Sequence, residues 1–197
     1  MPDGGTQIAP ALTEAYRKIL PVTATYKHIV LLTDGISEEG DSMALAERQA
    51  ALAAAKKRRA EMLIDEARKR VERNPTDLQF RFELGENLMN AGHFREALPE
   101  LQRARQNPNA RLRAMNALGR CYRELSMFDL AAKQLEEAAR EIGTMDATKK
   151  EIVYNLGLVY EQMGDRKKSL GCMKQIYEAD YGYKDVAMRV ESSYTSN

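Results

Sequence analysis

The 197-residue chain has two cysteines, two histidines and no run of 18 apolar residues. The histidines, His28 and His93, share no neighbouring Cys, Asp or Glu at a spacing that would build a common metal site. The cysteines, Cys121 and Cys172, fall among core-type residues of helical segments, where reduced thiols serve as small hydrophobes. The missing apolar run excludes a spanning helix, and the first residues, MPDGGTQIAP, have neither the basic start nor the apolar stretch of a secretory leader. Charge is also short on bias, since 30 basic residues face 29 acidic ones. That balance predicts neither nucleic acid nor a membrane surface as the main partner. The reduced thiols predict a cytoplasmic setting.

What the chain does have is punctuation. Residues 1–40 read as a glycine-rich start, an amphipathic helix from Ile8 to Ile19, a strand from His28 to Thr33 and a turn at Asp34-Gly35: a short βα segment whose strand has no visible partner. Asp41, a helix-capping residue, opens a stretch free of Pro and Gly that runs to Arg73 and reads as one long helix or two nearly continuous ones. Leu45 and Leu52 begin a heptad stripe, the cluster Lys56-Lys57-Arg58-Arg59 breaks it, and Leu63, Ala67 and Val71 resume it. That interruption argues against a coiled coil. Asn74-Pro75 stops the helix.

From there the pattern repeats. Leu84-Gly85, Leu118-Gly119 and Leu156-Gly157 are each followed twelve residues after the glycine by a small residue (Ala97, Ala131, Ser169). Four residues later comes a large apolar one (Leu101, Leu135, Met173). Small residues at two fixed places in a unit of this length mean two helices crossing closely, so each unit is an antiparallel helix pair. The expected pairs are Asp77–Ala91 with Phe94–Gln106, Arg111–Leu125 with Phe128–Ile142, and Ala147–Met163 with Arg166–Ala179. A last helix, Lys184–Tyr194, places Glu191 where the crossing glycine would stand and reads as a cap.

These residues resemble the tetratricopeptide repeat, with Leu-Gly and then Tyr in the first helix of a unit and Ala in the second. The likeness covers about residues 62–195 and makes the end of the long helix the second helix of a half repeat. The expected architecture is all-α: residues 41–74 as the long helix, 75–183 as three repeats of a helix-turn-helix solenoid, 184–197 as cap and tail. Departures are Arg81, Met115 and Val153 at a bulky aromatic position and Ser126 at the turn glycine. The resemblance implies a non-enzymatic scaffold that holds a protein or peptide in a groove lined by first helices. On the matching positions that groove shows Gln79, Phe82, Glu86 and Met89, then Arg113, Asn116, Arg120 and Arg123, then Tyr154, Leu158 and Glu161. Three arginines at its centre, with Phe82 and Tyr154 as apolar anchors, predict an acidic or carboxylate-bearing partner.

The front segment resembles something else, the second half of a von Willebrand factor type A domain, through Gly4-Gly5-Thr6 and Leu32-Thr33-Asp34-Gly35. That resemblance implies Thr6 and Asp34 as two contributors to a Mg²⁺ site. The family's Asp-x-Ser-x-Ser motif is missing, so the metal site is incomplete. The alternative function is a metal-dependent adhesion or assembly module completed by another chain. The Lys56–Arg59 cluster, flanked by acids and without interleaved aromatics, reads as a solvated helix face. No phosphate-holding glycine loop and no catalytic constellation appear, and no cofactor is implied.

Overall fold

The structure, a computed structural model, describes residues 42–195, with side chains from residue 48 onward. The expected helix Ile8–Ile19, the strand His28–Thr33, the cap Asp41 and the metal contributors Thr6 and Asp34 lie outside the described residues. Within them are eight helices and no strand: α1 (Ser42–Arg73), α2 (Leu78–Asn90), α3 (Phe94–Ala104), α4 (Arg111–Glu124), α5 (Phe128–Arg140), α6 (Ala147–Gln162), α7 (Arg166–Ala179) and α8 (Val186–Thr195). The chain divides into two compact units, Met1–Lys57 and Arg58–Asn197. The first contributes the opening stretch of α1. Everything below concerns the second.

Aspartates start three of these helices. Asp77 accepts from the backbone N–H of Gln79 at 2.8 Å and of Phe80 at 3.2 Å, Asp146 from that of Lys149 at 2.8 Å, and Asp165 from that of Lys168 at 3.0 Å. Each such cap contributes about 1 kcal/mol. Helices α3 and α5 have no side-chain cap: their N-cap positions hold His93 and Met127, where α7 has Asp165 after the same kind of turn. All three within-pair turns share one hydrogen-bond pattern. His93 N–H reaches Leu88 O at 2.9 Å, Met127 N–H reaches Tyr122 O at 2.8 Å and Asp165 N–H reaches Tyr160 O at 2.9 Å. The residue before each donor sits in the left-handed region: Gly92 at φ 83°, Ser126 at φ 60°, Gly164 at φ 80°. This is the Schellman geometry that a glycine normally serves.

The crossing glycines do what their spacing implies. A Cβ added at Gly85 would lie 2.7 Å from Leu101 Cγ, at Gly119 2.5 Å from Leu135 Cγ, and at Gly157 2.7 Å from Met173 Cε. Each glycine thus seats the large residue sixteen positions on, and Leu101, Leu135 and Met173 are all buried. Pairs α2–α3, α4–α5 and α6–α7 form this way, and α3–α4 and α5–α6 pack the pairs onto one another. The first helices also touch across pairs, α2 with α4 and α4 with α6, whereas α3, α5 and α7 make no comparable contact among themselves. First helices therefore form the inner layer and second helices the outer one. Two buried clusters, one from Ile64 to Cys121 and one from Met115 to Val190, meet around Tyr122.

Both ends differ from the repeat interior. Helix α1 does not approach α2 or α3 as closely as the pairs approach each other. It docks through Ile64 and Ala67 and through exposed ion pairs, Arg68 to Glu96 at 2.6 Å and Arg70 to Glu83 at 3.2 Å. Such exposed pairs contribute little. Its buried stripe runs through Ile64, Ala67 and Val71, one residue off the expected Leu63, which is exposed. At the other end α8 buries Val186 and Val190, while Glu191, at the crossing-glycine register, is exposed. The unusual residues at the aromatic position are absorbed locally. Met115 and Val153 are buried, and Arg81 donates to Pro75 O at 2.6 Å and to Glu100 at 2.9 Å.

Candidate functional site

The inner layer of α2, α4 and α6 carries the eleven residues expected to line a groove, and the structure sorts them into free and occupied. In α2, Gln79 donates to Glu83 at 3.4 Å. Phe82 is 0 % exposed and is a core residue, which corrects its expected role as an exposed anchor. The reason lies in the next pair: the Arg113 guanidinium sits 4.6 Å over the Phe82 ring and covers it. Arg113 also reaches Glu86 at 3.4 Å. Burial raises the Glu86 carboxyl above its ordinary range, with Arg113 and Arg120 pulling the other way. Met89 is buried as well.

Helix α4 supplies the centre. Asn116 is buried and accepts from Asn155 Nδ2 at 2.9 Å, a polar bond that pins α4 to α6 rather than a group presented to a ligand. A buried amide pair of this kind costs free energy if one partner is removed, so it sets the register of the two helices. Arg123 pairs only with its chain neighbour Glu124 at 2.7 Å. Arg120, half-buried, makes no hydrogen bond or ion pair among the described residues. Arg120 and Arg123 overlook an open depression lined also by Met89, Asn90, Phe94 and Glu124.

The share of α6 in the face is largely taken by the end of the chain. The Tyr154 hydroxyl donates to Asp185 at 2.7 Å, and Lys184 Nζ stands 4.1 Å over the Tyr154 ring. Glu161 receives Arg189 at 2.9 Å, and Arg189 also reaches Asp185 at 2.7 Å. Leu158 packs against the core. Lys184, Asp185 and Arg189 were not among the expected site residues. A signal for Asp185 exists in the chain: with Glu191 aligned on the crossing glycines, it stands at the register of Gln79 and Arg113.

Among the described residues no three His, Cys, Asp or Glu side chains gather to hold a metal ion, and no described helix is long and apolar enough to cross a membrane. Both cysteines are buried and free, and burial pushes each thiol up to about 11. A thiol so raised is protonated at neutral pH and a poor nucleophile. Lys56 to Arg59 are exposed.

Comparison with known proteins agrees with this geometry. The tetratricopeptide repeat family matches residues 151–183, the segment that holds α6 and α7. Among solved structures, MamA 41-end from Desulfovibrio magneticus RS-1 is 18% identical, with a TM-score of 0.57 over 73% of this chain and 78% of that one. PilF of Pseudomonas aeruginosa is 21% identical, with a TM-score of 0.59 over 74% of this chain and 64% of that one. YrrB, described as a TPR protein with an unusual peptide-binding site, is 21% identical, with a TM-score of 0.58 over 78% and 75%. No curated protein sequence matches. At these identities the likeness speaks for the fold, and the chain is an all-α solenoid of tetratricopeptide type. The resemblance of residues 4–6 and 32–35 to a von Willebrand factor type A domain gains no support from any of these matches.

Proposed function

We propose that the protein is a non-enzymatic scaffold that holds an acidic segment of a partner protein on the inner face, centred on α4. The observation that carries this reading is Arg120, a half-buried guanidinium that makes no ion pair among the described residues and feels Glu86 only at a distance, in a face where Arg113 and Arg189 are paired. A half-buried cation is costly to keep unpaired, and a partner carboxylate bound in a bidentate fork would offset that cost. The adjoining depression, with Met89 and Phe94 among its lining, offers apolar surface beside the charge. The repeat match to residues 151–183 and the peptide-binding site named for YrrB support a binding role rather than catalysis.

The test is differential capture by the full chain. Proteins retained by the wild type should be lost with Arg120→Glu and kept with Arg140→Glu, a reversal on the outer helix α5 where the native arginine bonds only its own helix backbone. Equal retention by both variants would put the partner somewhere other than the inner face.

A further inference from the structure

Each second helix reaches across to a tyrosine on the next first helix. Gln102 of α3 donates to the Tyr122 hydroxyl at 3.1 Å, the Tyr160 hydroxyl donates to Glu136 of α5, and Lys174 of α7 stands 4.6 Å over the Tyr194 ring of α8. Tyr160 is also covered by the second helix of its own pair, where Lys168 stands 5.1 Å over the ring, and it is 6 % exposed. Among the described residues α8 has no second helix, and Tyr194 is 67 % exposed. Met188, at the register of the buried Phe82, is 65 % exposed. Beside them Tyr177 and Tyr181 meet edge to face at 5.4 Å, and the Tyr177 hydroxyl donates to Glu191 at 3.4 Å. Glu191, at the crossing-glycine register, marks this as the side on which α2, α4 and α6 each carry their second helix. The end of the solenoid thus presents three tyrosines and a methionine, residue types that protein contacts favour.

We propose that this face joins two copies of the chain in a twofold-symmetric dimer, with α8 packed antiparallel against its counterpart. The charges choose the occupant. A second helix of the repeat kind sets a large apolar residue where α2, α4 and α6 offer glycine, and over α8 it would bury the Glu191 carboxylate without a counter-charge. That carboxylate needs a cation, and the same patch carries one in Lys174. Neither makes an ion pair among the described residues. Tyr177 lies level with Glu191 and Lys174 level with Tyr194, so anion and cation stand about 5 Å, roughly one helical turn, apart along the helices. A twofold axis sets residue i against j and j against i, so a patch bearing one charge of each sign at two levels is complementary to itself. Four large side chains and two charges a side fall short of the roughly 20–30 residues and ~800 Å² per partner of a standard interface, so the dimer is weak and exchanges with monomer. The proposal does not depend on the scaffold reading.

The experiment is sedimentation equilibrium of the full chain from about 10 μM to about 1 mM, the range in which a small interface associates. The wild type should pass from monomer to dimer across it and go no further. Met188→Ser and Tyr194→Ser should each weaken association about tenfold. Glu191→Lys and Lys174→Glu should weaken it at least as much, because each sets like charges opposite one another twice per dimer. An equal mixture of the Glu191→Lys and Lys174→Glu proteins should recover a mixed dimer to within about threefold of wild type, since a twofold contact restores both charge pairs. Met62→Ser, which removes a side chain 53 % exposed on α1, should leave association unchanged. The proposal is overturned if the wild type stays monomeric throughout, if it assembles beyond the dimer, or if Met62→Ser weakens it as much as Met188→Ser. It is also overturned if Glu191→Lys associates as wild type, or if the mixture associates no better than its components.

Discussion

Ser126 occupies a position that the other two turns give to glycine, and the structure lets its cost be worked out. Its φ of 60° matches Gly92 and Gly164 closely, and its hydrogen bonds, Ser126 N–H to Arg123 O at 2.9 Å and Met127 N–H to Tyr122 O at 2.8 Å, match theirs. Its hydroxyl makes no hydrogen bond among the described residues, so none of those is lost with it. A left-handed conformation costs a side-chain-bearing residue about 1–2 kcal/mol. Glycine returns about 0.4–1 kcal/mol of that through its freer unfolded state. Ser126→Gly should therefore stabilise the solenoid by about 0.5–1 kcal/mol, and at 2–4 °C per kcal/mol for a chain of this size its Tm should rise by roughly 1–4 °C. The converse substitutions isolate the backbone term, because a Cβ at Gly92 or Gly164 would meet nothing within 4 Å. Gly92→Ser and Gly164→Ser should each destabilise by a similar amount. Thermal and urea unfolding followed by circular dichroism measures all three. A fall in stability with Ser126→Gly, or no change with the two serine substitutions, would refute the reasoning.

Three further outcomes are expected. Gly119→Ala gains about 1 kcal/mol of helix propensity but drives a methyl to 2.5 Å from Leu135 Cγ, and overpacking of about 1–3 kcal/mol outweighs the gain. Gly157→Ala meets the flexible Met173 Cε and should cost less; in urea unfolding, Gly119→Ala paired with Leu135→Ala should be less destabilising than the sum of the two. Both thiols should react slowly with a disulfide reagent until the protein is unfolded. Because their folded values are raised, their contribution to stability is complete below the ordinary thiol range and is lost as pH climbs towards about 11, which alkaline melts of a Cys121→Ala, Cys172→Ala protein would show as a flattened slope. Glu86 is a carboxyl raised by burial, so its contribution is present below pH 4.5 and lost as pH rises through the raised value; Glu86→Gln should increase Tm at pH 7 and leave it unchanged at pH 4.

The fold was legible because it depends on contacts between residues at constant separation. Gly85–Leu101, Gly119–Leu135 and Gly157–Met173 are local in sequence, and each records a steric fact that any helix pair must satisfy. The aspartate caps are local too. The site was legible only in part, and each failure has a physical cause. Register alone puts Phe82 on the inner side of α2, but whether it is exposed depends on a long arginine from the next pair lying over it. Asn116 has the register of a ligand-facing residue, yet its partner Asn155 is 39 positions away, on a helix whose spacing is stretched by the loop before Ala147. Leu63 and Ile64 are equally apolar neighbours on α1, so periodicity could not choose between them.

The end helix changes what the third repeat can contribute. In a stack of identical pairs every first helix would offer its inner face equally, and the expected groove drew on α6 as well as on α4. Here Arg189 takes Glu161, Asp185 takes the Tyr154 hydroxyl and Lys184 covers the Tyr154 ring. On α2 the face is closed in a different way, by Arg113 on Phe82 and Glu86. What remains open between these two closures is the C-terminal half of α4, and its charge is positive although the chain as a whole is at +1. On the proposed reading, selectivity follows from which cations make no ion pair within the fold. The decisive comparison is Arg113→Ala against Arg120→Ala: the first removes a group already satisfied within the fold and should lower stability more than binding, and the second should do the reverse.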